Sequence, residues 1–213
     1  MIKISVIIIA HDQGQFLYRT IRGIFSLYEK SVIEVICCLD TPSPETLKFV
    51  EIAKNKFPQI KVLNTEHLDN GLSRNEAAKT ASGEYLLFLN AGDIILPNTI
   101  LNFYKYAKAS ERNIYVPTYT VDFDFENQKI EKHESARTFS QGKELLFMRN
   151  PWGEVFFIKK DLFEENCYQA TDIVNKIKFS TQSFFEEAIA NSCKILVVPE
   201  TVAFTRHLEV DNY

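Results

Sequence analysis

The sequence has no G-x-G-x-x-G after its first apolar run and no G-x-x-x-x-G-K-[ST] anywhere. The first absence argues against a dinucleotide-binding Rossmann enzyme. The second removes the P-loop nucleotidases, which need that lysine on the phosphates. No stretch approaches the ~20 apolar residues of a membrane-spanning helix. The amino-terminal run MIKISVIIIAHD is short, lacks a small-residue cleavage site and continues into a patterned helix. It reads as a strand and not as a signal peptide. Glycine and proline are scarce, seven of each in 213 residues, which argues against low complexity and disorder. Positive charge is in slight deficit, with a formal net charge of −4. No general attraction to nucleic acid or to an anionic membrane follows, although a local basic cleft stays compatible with that balance. The four cysteines, Cys37, Cys38, Cys167 and Cys193, lack metal-ligand spacing. They read as reduced core residues of a cytosolic protein.

What is present suits one substantial domain. A hydrophobic content of 46% allows a full core, and 213 residues are slightly short for two domains. The chain is organised around residues 71–93, GLSRNEAAKTASGEYLLFLNAGD. Residues 73–81 suggest a short helix with a small apolar face, closed at Ser82-Gly83 by a glycine free to turn left-handed. Residues 85–89 form an apolar run expected of a strand buried on both faces. It ends in Asn90, Ala91, Gly92 and Asp93. In open α/β sheets ligands bind beyond the carboxyl ends of the strands, where an amide and a carboxylate suit a cation or a sugar hydroxyl. The same residues equally suit a plain turn.

Before that stretch, strand and helix alternate. Residues 4–9 are β-branched and strand-forming, and residues 10–14 make the loop at their carboxyl end. A helix over 15–28 places Leu17, Ile21, Ile24, Phe25 and Tyr28 at spacings of three and four. Residues 32–39 form a second strand ending at Asp40. Pro44 and Glu45 open a helix to residue 57 with Leu47, Val50 and Phe57 inward. Residues 60–63 form a third strand, followed by a loop over 64–70. Asp12, Asp40, Asp69 and Asp93 thus fall along one edge of a parallel sheet with right-handed crossovers.

The second half is more mixed. A helix is expected over 97–110, an alternating strand over 113–125, a return strand over 129–133 and a short helix over 142–148. A strand over 155–158, a helical turn over 160–165, a mainly helical 173–191 and two short closing strands, 195–198 and 202–204, follow. On the alternation, Asp122 and Asp124 belong to the wet face of an exposed strand. Trp152 suits either an acceptor sugar or core packing. The division is one domain, 1–213, with a nucleotide-binding half over 1–97 and an acceptor-side half over 98–213.

These residues together resemble family 2 glycosyltransferases. ISVIIIAHDQGQFLYRTI is similar to their opening strand and helix, and VIEVICCLDTPSPET to their second strand. LDNGLSRNEAAKTASGEYLLFLNAGD resembles D-x-G-x-S-R-N followed by A-x-G-E-Y and F-L-D-x-D-D, and KILVVPETVAFTRH resembles their closing strands. The resemblance implies the GT-A type of α/β fold: a mostly parallel central sheet flanked by helices, with a small mixed and antiparallel second lobe. It implies a nucleotide-sugar donor, commonly a UDP-sugar, and a carbohydrate acceptor, with inversion, in cell-surface polysaccharide synthesis. By position, Ala10, His11, Asp12, Asp40 and Asp69 would surround the nucleoside, with Asp40 a partner for uracil. Arg74, Asn75 and Asn90 would lie near the base or diphosphate. Asp93 and His207 would hold a divalent cation, Mn²⁺ or Mg²⁺, acting as a Lewis acid on the leaving diphosphate. Each also has an ordinary role open to it: Asp12 and Asp40 as caps, Arg74 in an ion pair, His207 in solvent. Neither nucleic acid nor a transmembrane segment is expected, and the setting is the cytoplasm or the inner face of the membrane.

Two positions depart from the family's pattern. The acidic D-x-D-D motif falls on Asn90, Ala91, Gly92 and Asp93, leaving one carboxylate. The E-D pair that supplies the general base falls on Ser180 and Thr181, and a threonine hydroxyl is no base near neutral pH. Asp172, Glu186 and Glu187 are the substitute carboxylates nearby. The alternatives are a catalytically degenerate glycosyltransferase-like domain acting as a binding or regulatory partner and, more weakly, a nucleotidyltransferase. The latter would carry a Gly-rich basic loop after its first strand, where HDQGQF has one glycine and no lysine. Because the chain stops at Tyr213, soon after the last recognisable strand, a longer parent protein is compatible with it.

Overall fold

The computed structural model describes residues 3–27, 32–108, 112–123, 128–146, 150–170 and 180–206. His207, Asp172 and Asp124 lie outside them. In chain order the first half runs β1 (Ile4–Ala10), α1 (Gly14–Leu27), β2 (Ile33–Asp40), α2 (Pro44–Lys56), β3 (Lys61–Thr65), α3 (Asn70–Thr80), β4 (Tyr85–Asn90) and β5 (Ile94–Ile95). The second half runs α4 (Pro97–Ala107), β6 (Asn113–Phe123), β7 (Gln128–Lys132), α5 (Phe139–Leu146), β8 (Phe156–Lys159), α6 (Lys160–Asn166), α7 (Ser180–Ala190) and β9 (Lys194–Arg206).

Among the described residues one nine-stranded sheet runs in the order β3-β2-β1-β4-β8-β6-β9-β5, with β7 added beside β6. Strands β1 to β4 are parallel. Every residue of β1 and β2 is buried, because helices cover both faces and leave no wet side to alternate with. On one face Ile4, Val6 and Ile8 pack with Leu17 and Ile21 of α1, Val50 and Ala53 of α2, and Ile100 and Phe103 of α4. On the other, Ile7 and Ile9 share a core with Ala77 and Ala78 of α3, Phe163 of α6 and Phe184, Phe185 and Ile189 of α7. Strand β8 enters antiparallel to β4 and β6, so the sheet continues from the parallel half into the mixed half without a break.

Several boundaries differ from the sequence reading for local reasons. Helix α3 begins at Asn70 because Asp69 caps it, accepting from the amides of Gly71 (2.8 Å) and Leu72 (3.0 Å). Gly83 does not close α3 in a left-handed conformation; the capping residue is Ala81, and the only positive-φ glycines described are Gly92 and Gly153. Gly83 is needed for close approach instead: a Cβ there would lie 2.6 Å from the Ser5 backbone nitrogen. Leu47 is exposed, and the inner face of α2 is Thr46, Val50 and Ala53. The two expected closing strands are one 13-residue strand, β9, paired in parallel with β6. Its polar interruption is a bulge, where the register shifts between Pro117 and Tyr119 and Glu200 takes φ 58°. The Thr118 amide donates to Thr201 Oγ1 there (2.9 Å). Trp152 is wholly buried against Phe185, and its Nε1 donates to the Glu134 carbonyl (2.7 Å).

Candidate active site

Beyond the carboxyl ends of β1 and β4 lies a cleft of about 440 Å³. Its walls include His11, Gln13, Asn70, Asn90 and Asp93 from the parallel half. From the mixed half come Asp122, Glu131, Glu154 and Arg206.

The floor is the turn after β4. Gly92 has φ +103°, and a Cβ there would lie 3.1 Å from the Arg206 side chain, so only glycine fits both the conformation and the approach. Thr20 of α1 holds this turn, donating to the Asp93 carbonyl (2.9 Å) and accepting from the Gly92 amide (3.0 Å). The Asp93 carboxyl is 2% exposed. It accepts from the amides of Asn90 (2.7 Å) and Arg206 (3.3 Å). Burial pushes this carboxyl up to about 7, against the opposing pull of those amides and of the Arg74 charge. The Arg206 guanidinium lies 4.4 Å from the ring centroid of Phe16 and 4.7 Å from that of Phe123, a cation stacked on two aromatic faces at the rim of the cleft.

The nucleoside-side expectations divide. His11 faces the cleft; its Nδ1 donates to the Asp40 carbonyl (2.5 Å), and its Nε2 meets the Asn70 side-chain amide at 3.0 Å. Ala10 is buried within β1. Asp40 is buried and spends its carboxylate on the loop before α3: Oδ1 accepts from His67 (2.8 Å) and Leu68 (3.1 Å), Oδ2 from Asp69 (3.0 Å). It thereby fixes the wall that carries Asn70. Asp12 accepts from the Ser43 amide (3.0 Å) and joins the loops after β1 and β2.

Arg74 and Asn75 turn inward. Arg74 is fully buried; Nη1 donates to Glu154 Oε2 (2.7 Å), Tyr168 Oη (3.1 Å) and Thr181 Oγ1 (2.9 Å), and Nη2 donates to Asn90 Oδ1 (2.9 Å). Burial alone would lower its pKa, but the phenol of Tyr168 and the carboxylate of Glu154 raise it, so it is a permanent cation under the site. Burial pushes the Tyr168 phenol up to about 12, leaving it neutral. Asn75 clamps Tyr168, donating to its carbonyl (2.8 Å) and accepting from its amide (3.0 Å). Helix α3 thus braces the site from behind.

Of the substitute carboxylates, Glu186 accepts from Gln182 (3.1 Å) beside Phe139 and Lys143, and Glu187 accepts from Gln169 (3.4 Å). Neither lines the cleft. Asp122, expected on the wet face of its strand, is half-buried, lines the cleft and is hydrogen-bonded by Thr205. Glu154 and Arg206 were not singled out in the sequence. The one local signal for Glu154 is a carboxylate set between the Pro151-Trp152-Gly153 turn and the apolar run of β8.

The described residues do not form a divalent-cation site. Asp93 is the only carboxylate in its turn, both its oxygens are taken by amides, and no group of three metal-ligating side chains occurs among the described residues. What the cleft offers is a cation, a histidine, amides and carboxylates facing one another, which suits a phosphorylated, hydroxyl-rich ligand.

Known proteins resemble this chain in sequence and in fold. Over 115 residues the chain is 26% identical to a poly(ribitol-phosphate) beta-glucosyltransferase of Bacillus spizizenii, covering 53% of this chain and 18% of that protein. It is 26% identical to the poly(ribitol-phosphate) beta-N-acetylglucosaminyltransferase TarP of Staphylococcus aureus, covering 57% of this chain and 38% of that protein. An uncharacterised glycosyltransferase of Methanocaldococcus jannaschii aligns with 99% of this chain and 72% of its own length, also at 26% identity. The chain therefore spans well under half of the two ribitol-phosphate enzymes. In fold it matches the crystal structure of S. aureus TarS 1–349 in complex with UDP-GlcNAc, with a TM-score of 0.78 at 19% identity over 100% of this chain and 62% of that one. It also matches GalNAc-T7 with UDP, GalNAc and Mn²⁺, at a TM-score of 0.73 and 18% identity, over 98% of this chain and 45% of that one. The expected GT-A type of α/β fold is the observed one. The profile described as glycosyl transferase family 2 matches residues 5–167, and the chain belongs to that family.

Proposed function

We propose that this chain transfers a sugar from a uridine diphosphate donor to a hydroxyl of a carbohydrate or polyol-phosphate acceptor, with inversion, in the synthesis of a cell-surface polymer. One observation carries this reading: the cleft beyond β1 and β4 opposes His11, Asn70 and Asn90 to Arg206 and a set of carboxylates. A diphosphate leaving group needs the cation, and an acceptor hydroxyl needs the carboxylate. UDP and UDP-GlcNAc in the TarS structures and the ribitol-phosphate enzymes among the relatives support the choice of donor and acceptor class. We place the reaction on the cytoplasmic side of the membrane on the strength of the resemblance. Among the described residues no helix is long and apolar enough to cross a bilayer.

Assistance by Mn²⁺ or Mg²⁺ rests on the resemblance and on the Mn²⁺ named with GalNAc-T7. It has no complete ligand set among the described residues. The chain's own groups do the following in this reading. The loop pinned by Asp40 presents Asn70, the β4 turn presents Asn90, and Arg206 faces the departing diphosphate.

A second reading, a catalytically degenerate domain that binds a nucleotide and serves a partner, is favoured by Thr181 and by the single carboxylate of the β4 turn. Calorimetric titration with UDP, with and without Mn²⁺, followed by UDP release from UDP-sugars, separates the two. Binding with turnover is expected. Binding without turnover would favour the degenerate domain, and no binding of UDP would remove the donor assignment.

A further inference from the structure

We propose that Glu154 is the general base of this cleft, a role that rests on the transferase reading above. The substitutes expected for a base missing at residue 181 were Asp172, Glu186 and Glu187. The structure brings a carboxylate to that residue from a different element. Thr181 is buried, and its Oγ1 donates to Glu154 Oε2 at 2.7 Å, so the carboxylate stands one hydrogen bond from the threonine. Arg74 donates to the same oxygen, also at 2.7 Å.

The described bonds of Glu154 all land on Oε2. Its side chain is 40% exposed and lines the cleft. One oxygen is anchored in the wall, and the residue belongs to the lining of the cleft. The anchoring is rigid. The preceding turn passes through Gly153 at φ +67°. Asn150 ties it on both sides, donating to the Gly153 carbonyl (2.8 Å) and accepting from the Trp152 amide (3.0 Å).

The other carboxylates of the cleft have different partners. Asp93 is buried with both oxygens on amides. Asp122 is bonded by Thr205, and Glu131 pairs with Lys129 at 2.6 Å. Among the carboxylates of the cleft, Glu154 alone has described bonds to both Arg74 and Thr181.

The step balances. As the acceptor oxygen forms its bond to the anomeric carbon, its proton passes to Glu154. The bond from that carbon to the diphosphate oxygen breaks, and its electron pair leaves on UDP. The protonated carboxyl then returns its proton to water.

Glu154→Gln keeps an oxygen to accept from Arg74 and Thr181 but loses the proton acceptor. UDP release from UDP-glucose and UDP-N-acetylglucosamine, with water and poly(ribitol phosphate) as acceptors, is expected to fall at least about 100-fold in kcat. UDP affinity should stay within about threefold, and the acid limb of the kcat profile should vanish. Glu154→Asp guards against a variant that fails to fold: it keeps the charge beside Arg74 but draws the carboxylate back by one carbon. A kcat loss of about tenfold or more, with unchanged Tm and UDP affinity, is expected from such a displacement. If kcat survives in both variants while the native chain turns over, Glu154 is only the counterion of Arg74 and the proposal falls alone. If the native chain binds UDP yet releases none from either donor, the base and the transferase reading fall together. If it does not bind UDP, the donor assignment falls first and the base with it.

Discussion

Asp93 is where the site and the stability of the fold meet, and its titration is measurable. Burial pushes its carboxyl up to about 7, from 3.8 in an unperturbed aspartate. Across that window the native state keeps a proton that the unfolded chain has released. Stability therefore falls as pH rises from 3.8 toward 7 and is level above. About three pH units at 1.36 kcal/mol each put the full cost near 4 kcal/mol, and about 2.5 kcal/mol of it falls between pH 5 and pH 8. Asp93→Asn removes the titration while keeping the shape. Its one oxygen still accepts an amide and the other amide is lost, a pH-independent offset of about 1 kcal/mol. Urea unfolding of both proteins in chelator, followed by far-UV circular dichroism at pH 5, 6, 7 and 8, gives the stability difference at each pH. The variant is expected to gain on the native chain steadily up to pH 7 and then hold level. For a chain of this length the gain equals roughly 5–10 °C in relative Tm. A difference constant to within about 0.5 kcal/mol over that range would mean that the carboxyl titrates normally, and the burial argument would be refuted.

Gly83→Ala places a Cβ 2.6 Å from the backbone nitrogen of Ser5; a loss of about 1–3 kcal/mol is expected, read as a lowered urea midpoint with an unchanged slope. Asp40→Asn leaves one of three loop amides unpaired, so hydrogen exchange at residues 67–69 should accelerate and UDP affinity should fall with it, at a cost of about 1–3 kcal/mol. Glu34 is buried among Lys61, Ser5, Ser82 and Gly83. Burial would raise its pKa, but those donors together hold it below the usual 4.5. Its contribution is therefore present above that value and lost as pH falls through the lowered one, and Glu34→Gln should flatten the acid limb of the stability profile.

The parallel half was legible because its information is local. An unbroken β-branched run, a three-and-four helix pattern and a polar strand end each report one element, and β1, α1, β2, α2 and β4 fell within a residue or two of the expected bounds. The same locality explains the misses. The sequence of β9 has a proline and two polar residues in its middle, which read as a gap; the strand continues because Thr118 and Thr201 bridge the bulge from a partner strand. Leu47 was placed inward by hydrophobicity, while Thr46 is the residue that faces the core. Gly83 was assigned a turn conformation, whereas its requirement is a neighbouring strand 78 residues away in sequence.

The site shows this division most clearly. The residues with the strongest motif signal, Asp40, Asp69, Arg74 and Asn75, are bound mainly to backbone or to buried partners. They build the cleft more than they line it. Those with the weakest signal, Glu154 and Arg206, face it. A motif is recognisable when its residues must hold one backbone geometry, since few side chains can replace a cap or a buried guanidinium. A group that meets a ligand needs only to arrive at the right point, and several elements can deliver it. With the base proposed above, residue 154 takes the part expected of residue 181, and Arg74 binds both residues through one guanidinium nitrogen. A carboxylate at either position would meet the same buried cation. Thr181→Asp alone should then place two carboxylates against one cation. Like charges so close cannot both ionise without cost, so that variant is expected to lose stability as pH rises, whereas Glu154→Gln with Thr181→Asp should not.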